Sequence, residues 1–340
     1  MLEKERRLMQ QRIAVIGAGV SGLTCGVVLA ERGFRVAILA QEIGQQTTSG
    51  AAAALWFPYD VEPADKVIPW ALETYTDLLD LSDDPGSGVS MIELRQFCRT
   101  GEIQIPDWAI SLGASVIPSS PSVMSSEVET SLAVDSSFFK SGFALSVPLM
   151  DTTIYLAYLA RRFLKANGEI TNGSFEKLED VPREFDLVIN CAGIGARELV
   201  QDRDLEPHRG QVAIVPKIDD LPCAIVCDDP LMYAIPRTND CLFGGTNKVS
   251  DNLRVDPAAT ARIIEECSRV LDIENPQVLA ERVGLRPYRK SGVRLERDRL
   301  RDGRTAIHNY GHGGAGFTLS WGCAGDVIDL VADLRWCWSG

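Results

Sequence analysis

The sequence predicts an α/β fold in which a parallel, dinucleotide-binding sheet is interrupted by segments that form an antiparallel sheet. Three observations carry this expectation. An apolar run, Arg12-Ile13-Ala14-Val15-Ile16, feeds into Gly17-Ala18-Gly19-Val20-Ser21-Gly22, and a helix-like stretch follows from Leu23 to Arg32. A second apolar strand, Val36-Ala37-Ile38-Leu39-Ala40, completes a βαβ unit. Far down the chain, Phe185 to Gly193 returns to the pattern of a buried parallel strand, with strand-rich segments around it.

The first glycine turn is a Rossmann-like pyrophosphate cradle. Gly17 allows the tight turn, Gly19 removes the Cβ that would block a diphosphate, and Gly22 lets the helix pack on the strand. The helix start then offers N–H groups and a positive dipole end to an anion. Gly-x-Gly-x-x-Gly alone is weak evidence; between a strand and a helix it is stronger. In such a unit an acidic residue usually ends the second strand and bonds the ribose. Here Gln41 follows the strand and Glu42 comes next, and either can accept that bond.

Thr47 to Ala54 is a run of small and hydroxylated residues. It lets backbone approach a ligand closely, with Thr47, Thr48 and Ser49 as donors; a plain loop followed by an Ala-rich turn is the alternative. An aromatic patch, Leu55-Trp56-Phe57-Pro58-Tyr59, comes next, and Val67 to Leu81 reads as a helix. From 82 to 147 the character changes. Asp83 to Gly88 is turn-rich, Ser119 to Ser126 is Ser/Pro-rich, and Phe143 to Val147 alternates like an antiparallel strand. Thr152 to Asn167 has a helical pattern ended by Gly168. Gly193 and Gly195 suggest a second close approach of backbone to the dinucleotide. Strands are expected at Gln211 to Val215, Ala224 to Cys227, Leu231 to Ile235 and Cys241 to Phe243, and a helix at Pro257 to Leu271. Ile307 to Leu334 reads strand, glycine-rich turn, helix. The nucleotide fold is therefore assembled from three separated pieces. The expected division is 1–58, 141–209 and 287–340 for the nucleotide domain, and 59–140 and 210–286 for the other.

Composition narrows the partners. The chain has 340 residues, 45% hydrophobic and 24% charged, an ordinary globular balance. A net charge of −13 argues against nucleic acid or an anionic membrane as partner. No apolar run approaches the ~20 residues of a membrane-spanning helix. Met1 to Gln11 is charged and lacks the apolar core of a secretory signal, so a soluble, cytoplasmic protein is expected. Nine scattered cysteines without a Cys-x-x-Cys, and three histidines, read as buried reduced thiols and no metal site.

The block Ile307 to Gly322, with Gly311, Gly313, Gly314, Gly316 and Gly322, is framed by an apolar strand and an amphipathic helix. Such a turn can wrap a flat ring and point N–H groups at a carbonyl oxygen. With GAGVSG near the start and this block near the end, the chain resembles the D-amino-acid oxidase family of flavoproteins. The shared segments are GAGVSG, TTSGAAAALWFPY, DLVINCAG, HRGQ, LMYAIPR, GLRPYR, GVRLER and HNYGHGGAGFTLSWGCA, in family order and over nearly the whole length.

The resemblance implies a chemistry. FAD takes a hydride from the substrate α-carbon at N5, the imino acid hydrolyses to a 2-oxo acid and ammonia, and dioxygen is reduced to hydrogen peroxide. The cofactor carries the difficult step, and no side-chain base is needed if the amine binds neutral. It also implies residues. Arg286 matches the arginine that holds the substrate carboxylate with a bidentate fork. Tyr233 matches the tyrosine whose hydroxyl shares it, and Gly314 the glycine whose carbonyl accepts from the amine. Thr318 sits where a threonine bonds the flavin pyrimidine oxygen, and Arg294 where an arginine flanks the ring. FAD contacts are expected from Gly17, Ala18, Gly19, Val20, Ser21, Gly22, Gln41, Glu42, Thr48, Ser49, Ala53, Ala54 and Leu55. Leu178, Cys191, Ala192, Gly193, Gly313, Gly314, Gly316 and Phe317 complete the set.

Two departures stand out. The segment before Tyr233, Asp228-Asp229-Pro230-Leu231-Met232, is short and lacks the lid tyrosine of mammalian-type members, which implies a more open site. Gln41 stands at the usual ribose acid, which implies a weakened contact there. The expected side-chain liners, Leu55, Phe57, Tyr59 and Ala315, are mostly apolar and favour neutral D-amino acids, although Arg237 or another basic group could reach inward as a second anchor. A D-aspartate, glycine or sarcosine oxidase is the alternative, and a homodimer is compatible with the family. An NAD-dependent dehydrogenase shares the first glycine turn but leaves the second without a role.

Overall fold

The computed structural model describes residues 11–117 and 138–337, the side chains of 335–337 excepted. The Ser/Pro-rich stretch from Ser119 to Ser126, and all but the last residue of the charged start, lie outside the described residues. The strands in chain order are β1 (Arg12–Ala18), β2 (Arg35–Ile43), β3 (Val89–Cys98), β4 (Ser115–Ile117), β5 (Ser141–Met150), β6 (Glu169–Asn172), β7 (Leu187–Asn190), β8 (Leu205–Pro216), β9 (Cys223–Asp228), β10 (Leu231–Pro236), β11 (Asp240–Gly244), β12 (Lys248–Val249), β13 (Ala280–Arg289), β14 (Arg294–Arg299) and β15 (Thr305–Tyr310). The long helices are α1 (Val20–Glu31), α2 (Ala64–Leu81), α3 (Thr152–Lys165), α4 (Pro257–Leu271) and α5 (Gly316–Cys337).

Packing groups the chain into two units. One contains Met1–Val89, Thr152–His208 and Leu285–Gly340; the other contains Ser90–Asp151 and Arg209–Gly284. The division drawn from sequence put 59–89 with the second group and 141–151 with the first.

The first unit is built on a six-stranded sheet ordered β14-β15-β7-β1-β2-β6. β1 pairs in parallel with β2 on one side and β7 on the other, so Ile13 faces both Val36 and Leu187. β15 continues the parallel order beside β7, and β14 closes the edge antiparallel. A central strand covered on both faces must be apolar throughout; Ile13, Ala14 and Val15 are at most 1% exposed. Helix α5 packs against α1 and α2, and α3 against α1. A Cβ on Gly322 of α5 would overlap the Trp70 carbonyl of α2, and the Thr74 hydroxyl of α2 accepts from the N–H groups of Trp321 and Gly322. The glycine in GFTLSWGCA thus permits a close helix crossing.

The second unit carries the sheet ordered β12-β8-β11-β10-β9-β3-β5-β4, with β13 also paired to β8. Most neighbours are antiparallel, as the alternating segments predict, but β3 runs parallel to β9, with Glu93 opposite Cys223. The long excursion between these strands supplies the crossover that parallel pairing needs. One face is covered by α4: Ala213, Val215, Ile225 and Phe243 pack with Ile263, Cys267 and Val270. The α4 pattern comes from its apolar spacing, a proline at N1 and the Asp256 side chain accepting from Ala258 N–H at 3.0 Å.

Among the described residues, no helix is long and apolar enough to cross a membrane, and no group of three or more His, Cys, Asp or Glu side chains is placed to hold a metal ion. Among the described side chains, eight cysteines are free thiols, and all of these but Cys98 are buried.

Candidate active site

The cradle sits where β1 turns into α1. Gly17 has φ +103°, and a Cβ there would lie 2.6 Å from the Cys191 carbonyl at the end of β7. A Cβ on Gly22 would overlap the Gly17 carbonyl, so the helix start lies directly on the turn. Gly19 caps α1 without any side-chain hydrogen bond, and the first turn of α1 holds no acidic residue. The positive end of this helix therefore carries no carboxylate of its own first turn to compete with an anion. A Cβ on Gly19 would meet the Ser49 hydroxyl at 3.0 Å, and Ser49 Oγ accepts from Val20 N–H at 3.0 Å. The Thr47–Ala51 segment is thus tied to the helix start, with Thr47 capping its own short turn. Cys191 N–H donates to Ile16 O, which brings Cys191, Ala192 and Gly193 beside Gly17. Bare backbone, hydroxyls and a positive helix end in one place fit the diphosphate of a dinucleotide such as FAD.

β2 runs on to Ile43, past the Ala40 end expected from sequence, because Ala18 pairs with Ile43 beyond a register shift. Gln41 and Glu42 are therefore exposed residues within the irregular stretch of β2. Leu178 is buried in the core beside Ala14, Ala37 and Leu39.

The second glycine turn follows β15. Gly313 has φ +51° and no room for a Cβ, which would overlap the Asp60 carbonyl. A Cβ on Gly314 would lie 2.6 Å from the Tyr59 ring. The aromatic corner of Phe57 to Asp60 thus lies on this turn. Its neighbours Ala53, Ala54 and Leu55 lead into it, Ala54 being buried with φ +55°. Gly316 and Phe317 begin α5, whose first turn again holds no acidic residue. Ala315 is fully buried. Thr318 stands in the first turn of α5. Its hydroxyl donates to Phe57 O at 3.0 Å and accepts from Phe57 N–H at 3.1 Å. Its proton is directed at Phe57, so the side chain acts as a clamp on the aromatic corner.

Arg294 is held by three partners. Nε bonds Glu296 at 2.7 Å, one Nη donates to Tyr310 Oη at 2.9 Å, and the other lies 3.4 Å from Asp298. Tyr310 in turn donates to Asp202 at 2.7 Å, and Arg289 reaches the same carboxylate at 2.8 Å. Burial opposes ionisation of Asp202, but the bonds from Tyr310 and Arg289 outweigh it and hold the carboxyl below its usual range. Burial pushes the Tyr310 phenol up to about 12. Sequence spacing carries no trace of this network, since Asp202 and Tyr310 lie 108 positions apart.

Two further histidines were unassigned from sequence. His312 is fully enclosed, with Nε2 2.9 Å from Asn309 Oδ1, and burial brings its pKa down to about 4. Burial, followed by the charge of Arg294, lowers His308 likewise to about 4.

Arg286 lies half-buried on β13, and Tyr288 shares its face two residues on. In the second unit, Tyr233 of β10 stands opposite Gly244 of β11, whose missing side chain leaves the space the Tyr233 ring occupies. Arg237 is 5% exposed and grips Asp240 with two bonds of 2.7 and 2.8 Å.

A parallel sheet with an uncapped glycine cradle at its first βα turn defines a dinucleotide-binding α/β protein. Residues 12–330 match the FAD dependent oxidoreductase family, and the chain belongs to that family. It is 37% identical over 326 residues to a D-amino-acid oxidase of Streptomyces coelicolor, covering 94% of this chain and 96% of the relative. A D-amino-acid oxidase of Rubrobacter xylanophilus is 34% identical over 328 residues, covering 94% and 95%. Among solved structures, glycine oxidase from Geobacillus kaustophilus superposes with a TM-score of 0.78 over 95% of each chain at 19% identity, a likeness of fold.

Proposed function

We propose that the protein is an FAD-dependent oxidase that converts neutral D-amino acids to 2-oxo acids, ammonia and hydrogen peroxide. The full-length similarity to two D-amino-acid oxidases carries this reading. When bound, FAD supplies the hydride acceptor and passes the electrons to dioxygen. The chain's own residues bind and orient. Arg286 takes the α-carboxylate in a bidentate fork, and the Tyr233 hydroxyl shares it. The Gly314 carbonyl accepts from the amine. With both groups fixed, only one enantiomer directs its α-hydrogen at the ring. Arg294 flanks the ring, held in place through Tyr310 and Asp202. Gly17 to Gly22, Thr48 and Ser49 cradle the diphosphate, and Gln41 or Glu42 meets the ribose.

Preference for neutral side chains has its own support. The guanidinium of Arg237 is engaged through Nε and one Nη by the two oxygens of Asp240. Its charge is already matched, so a second substrate carboxylate gains no counter-charge there and meets the apolar Leu55, Phe57, Tyr59 and Ala315. Desolvating it unpaired costs several kcal/mol, about a hundredfold or more in kcat/KM. A cytoplasmic location and a homodimer are further parts of the proposal, and sedimentation tests the second.

Anaerobic flavin bleaching, followed by steady-state rates on D-alanine, D-phenylalanine, D-aspartate and L-phenylalanine, tests the proposal. The two neutral D-amino acids are expected to be fastest and the L-enantiomer inert. Faster turnover of D-aspartate than of both neutral substrates would replace it with an acidic D-amino-acid oxidase; bleaching by glycine or sarcosine alone would indicate those oxidases.

A further inference from the structure

The Gly313–Gly314 turn is gripped from two sides. On one side Gly313 N–H donates to Pro287 O at 2.9 Å, and Tyr288 pairs with His312 in an antiparallel bridge. On the other side the Asp60 carbonyl fills the space of a Gly313 side chain, and the Tyr59 ring fills that of Gly314. His208 touches both grips. Its Nδ1 lies 2.8 Å from Asp60 Oδ2; a carboxylate can only accept, so the imidazole donates. Its ring stacks on Tyr288 with centroids 4.3 Å apart and planes 13° from parallel. Asp60 itself is held with φ +55°, a conformation that costs a non-glycine residue and persists only where its surroundings fix it. Both side chains are largely enclosed, at 14% and 15% exposure.

We infer that His208 and Asp60 form a positioning pair that ties the Tyr59–Asp60 corner to the Tyr288 strand and so sets the shape of the Gly313–Gly314 turn for substrate. This rests on the reading of Gly314 as the acceptor for the substrate amine. The pair contributes no reacting atom. It acts through the turn, and through Tyr288 it braces the strand that also carries Arg286.

Three variants test the pair in the FAD-loaded enzyme. His208→Phe keeps the ring on Tyr288 and removes the donor. Asp60→Gly removes the acceptor and accepts the left-handed backbone. Asp60→Asn keeps both an acceptor and that backbone. The first two are expected to raise KM for D-alanine by roughly tenfold with kcat within about twofold, flavin content unchanged. Asp60→Asn is expected within about threefold of wild type, and the His208→Phe/Asp60→Gly double variant no worse than either single one, since one interaction cannot be lost twice. Hydrogen exchange of the amides of residues 311–315 supplies a readout independent of turnover: about tenfold faster in His208→Phe and in Asp60→Gly, unchanged in Asp60→Asn. Unchanged exchange in both loosening variants, or additive effects in the double variant, overturns the pair. A wild type that oxidises no D-amino acid, with exchange still quickened by His208→Phe, overturns the substrate reading and leaves the pair standing.

Discussion

Lowering the pH from 7 to 5 should destabilise the protein through His308 and His312. Both imidazoles are enclosed, at 1% and 3% exposure, and each has its pKa brought from 6.5 down to about 4. The sign follows from proton uptake. Between pH 6.5 and 4 the unfolded chain protonates these rings and the folded chain does not, so unfolding binds protons and stability falls as pH falls. The stability is fully present above the unfolded pKa of 6.5. From pH 7 to pH 5 the loss is about 2 kcal/mol per histidine, on a full difference of about 3 kcal/mol each. The assay is urea unfolding of the FAD-saturated protein at pH 7, 6 and 5, beside His312→Gln. Glutamine keeps an N–H for Asn309 but cannot titrate, so the variant should lose less stability than wild type over the same interval, by about 2 kcal/mol. An identical pH dependence in wild type and variant would refute the reasoning, as would a wild type that gains stability on acidification.

Arg286→Ala should lower kcat/KM by about 3–5 kcal/mol while the flavin spectrum survives, because the lost partner is the substrate carboxylate; activity within about tenfold of wild type would mean the anchor lies elsewhere. Gly19→Val should yield colourless or FAD-depleted protein, since a branched Cβ displaces the Ser49 hydroxyl and occupies the diphosphate's place; normal flavin absorbance contradicts this. Tyr310→Phe removes the link between Arg294 and Asp202 and leaves Asp202 with Arg289, at a cost of about 1–3 kcal/mol in unfolding free energy; thermal or urea denaturation of the variant checks it.

The nucleotide-binding sheet was legible in the sequence because its determinants are local. An apolar run, a glycine turn and a helix start lie within a dozen residues at Ile13 to Leu23, and the same order returns at Ile307 to Phe317. Arg286 and Gly314 became candidates through motifs that survive as contiguous strings. The polar networks behind them had no such trace. His208 meets Asp60, and Asp202 meets Tyr310, only after the chain has folded, and no spacing rule relates them. Thr318 shows a third kind of limit. Its position marks it for the cofactor, and the bonds of its hydroxyl to the Phe57 backbone come from a segment that only three dimensions bring near. The parallel pairing of β3 with β9 was hidden likewise, because alternation reports a half-buried strand and not the direction of its neighbour.

The order of strands around β1 has a temporal consequence. Ile13 pairs with Leu187, and Leu187 pairs with Thr305. During synthesis the cradle leaves the ribosome well before its flanking strand β7, and β15 emerges later still. Until then β1 and β2 present an apolar edge with unpaired backbone groups, the kind of surface that invites association with other chains. Pairings so distant along the chain are slow to form because loop closure precedes any contact they gain. The nucleotide site is thus closed by strands made well after the cradle itself, and cofactor capture becomes a report that those distant pairings have formed.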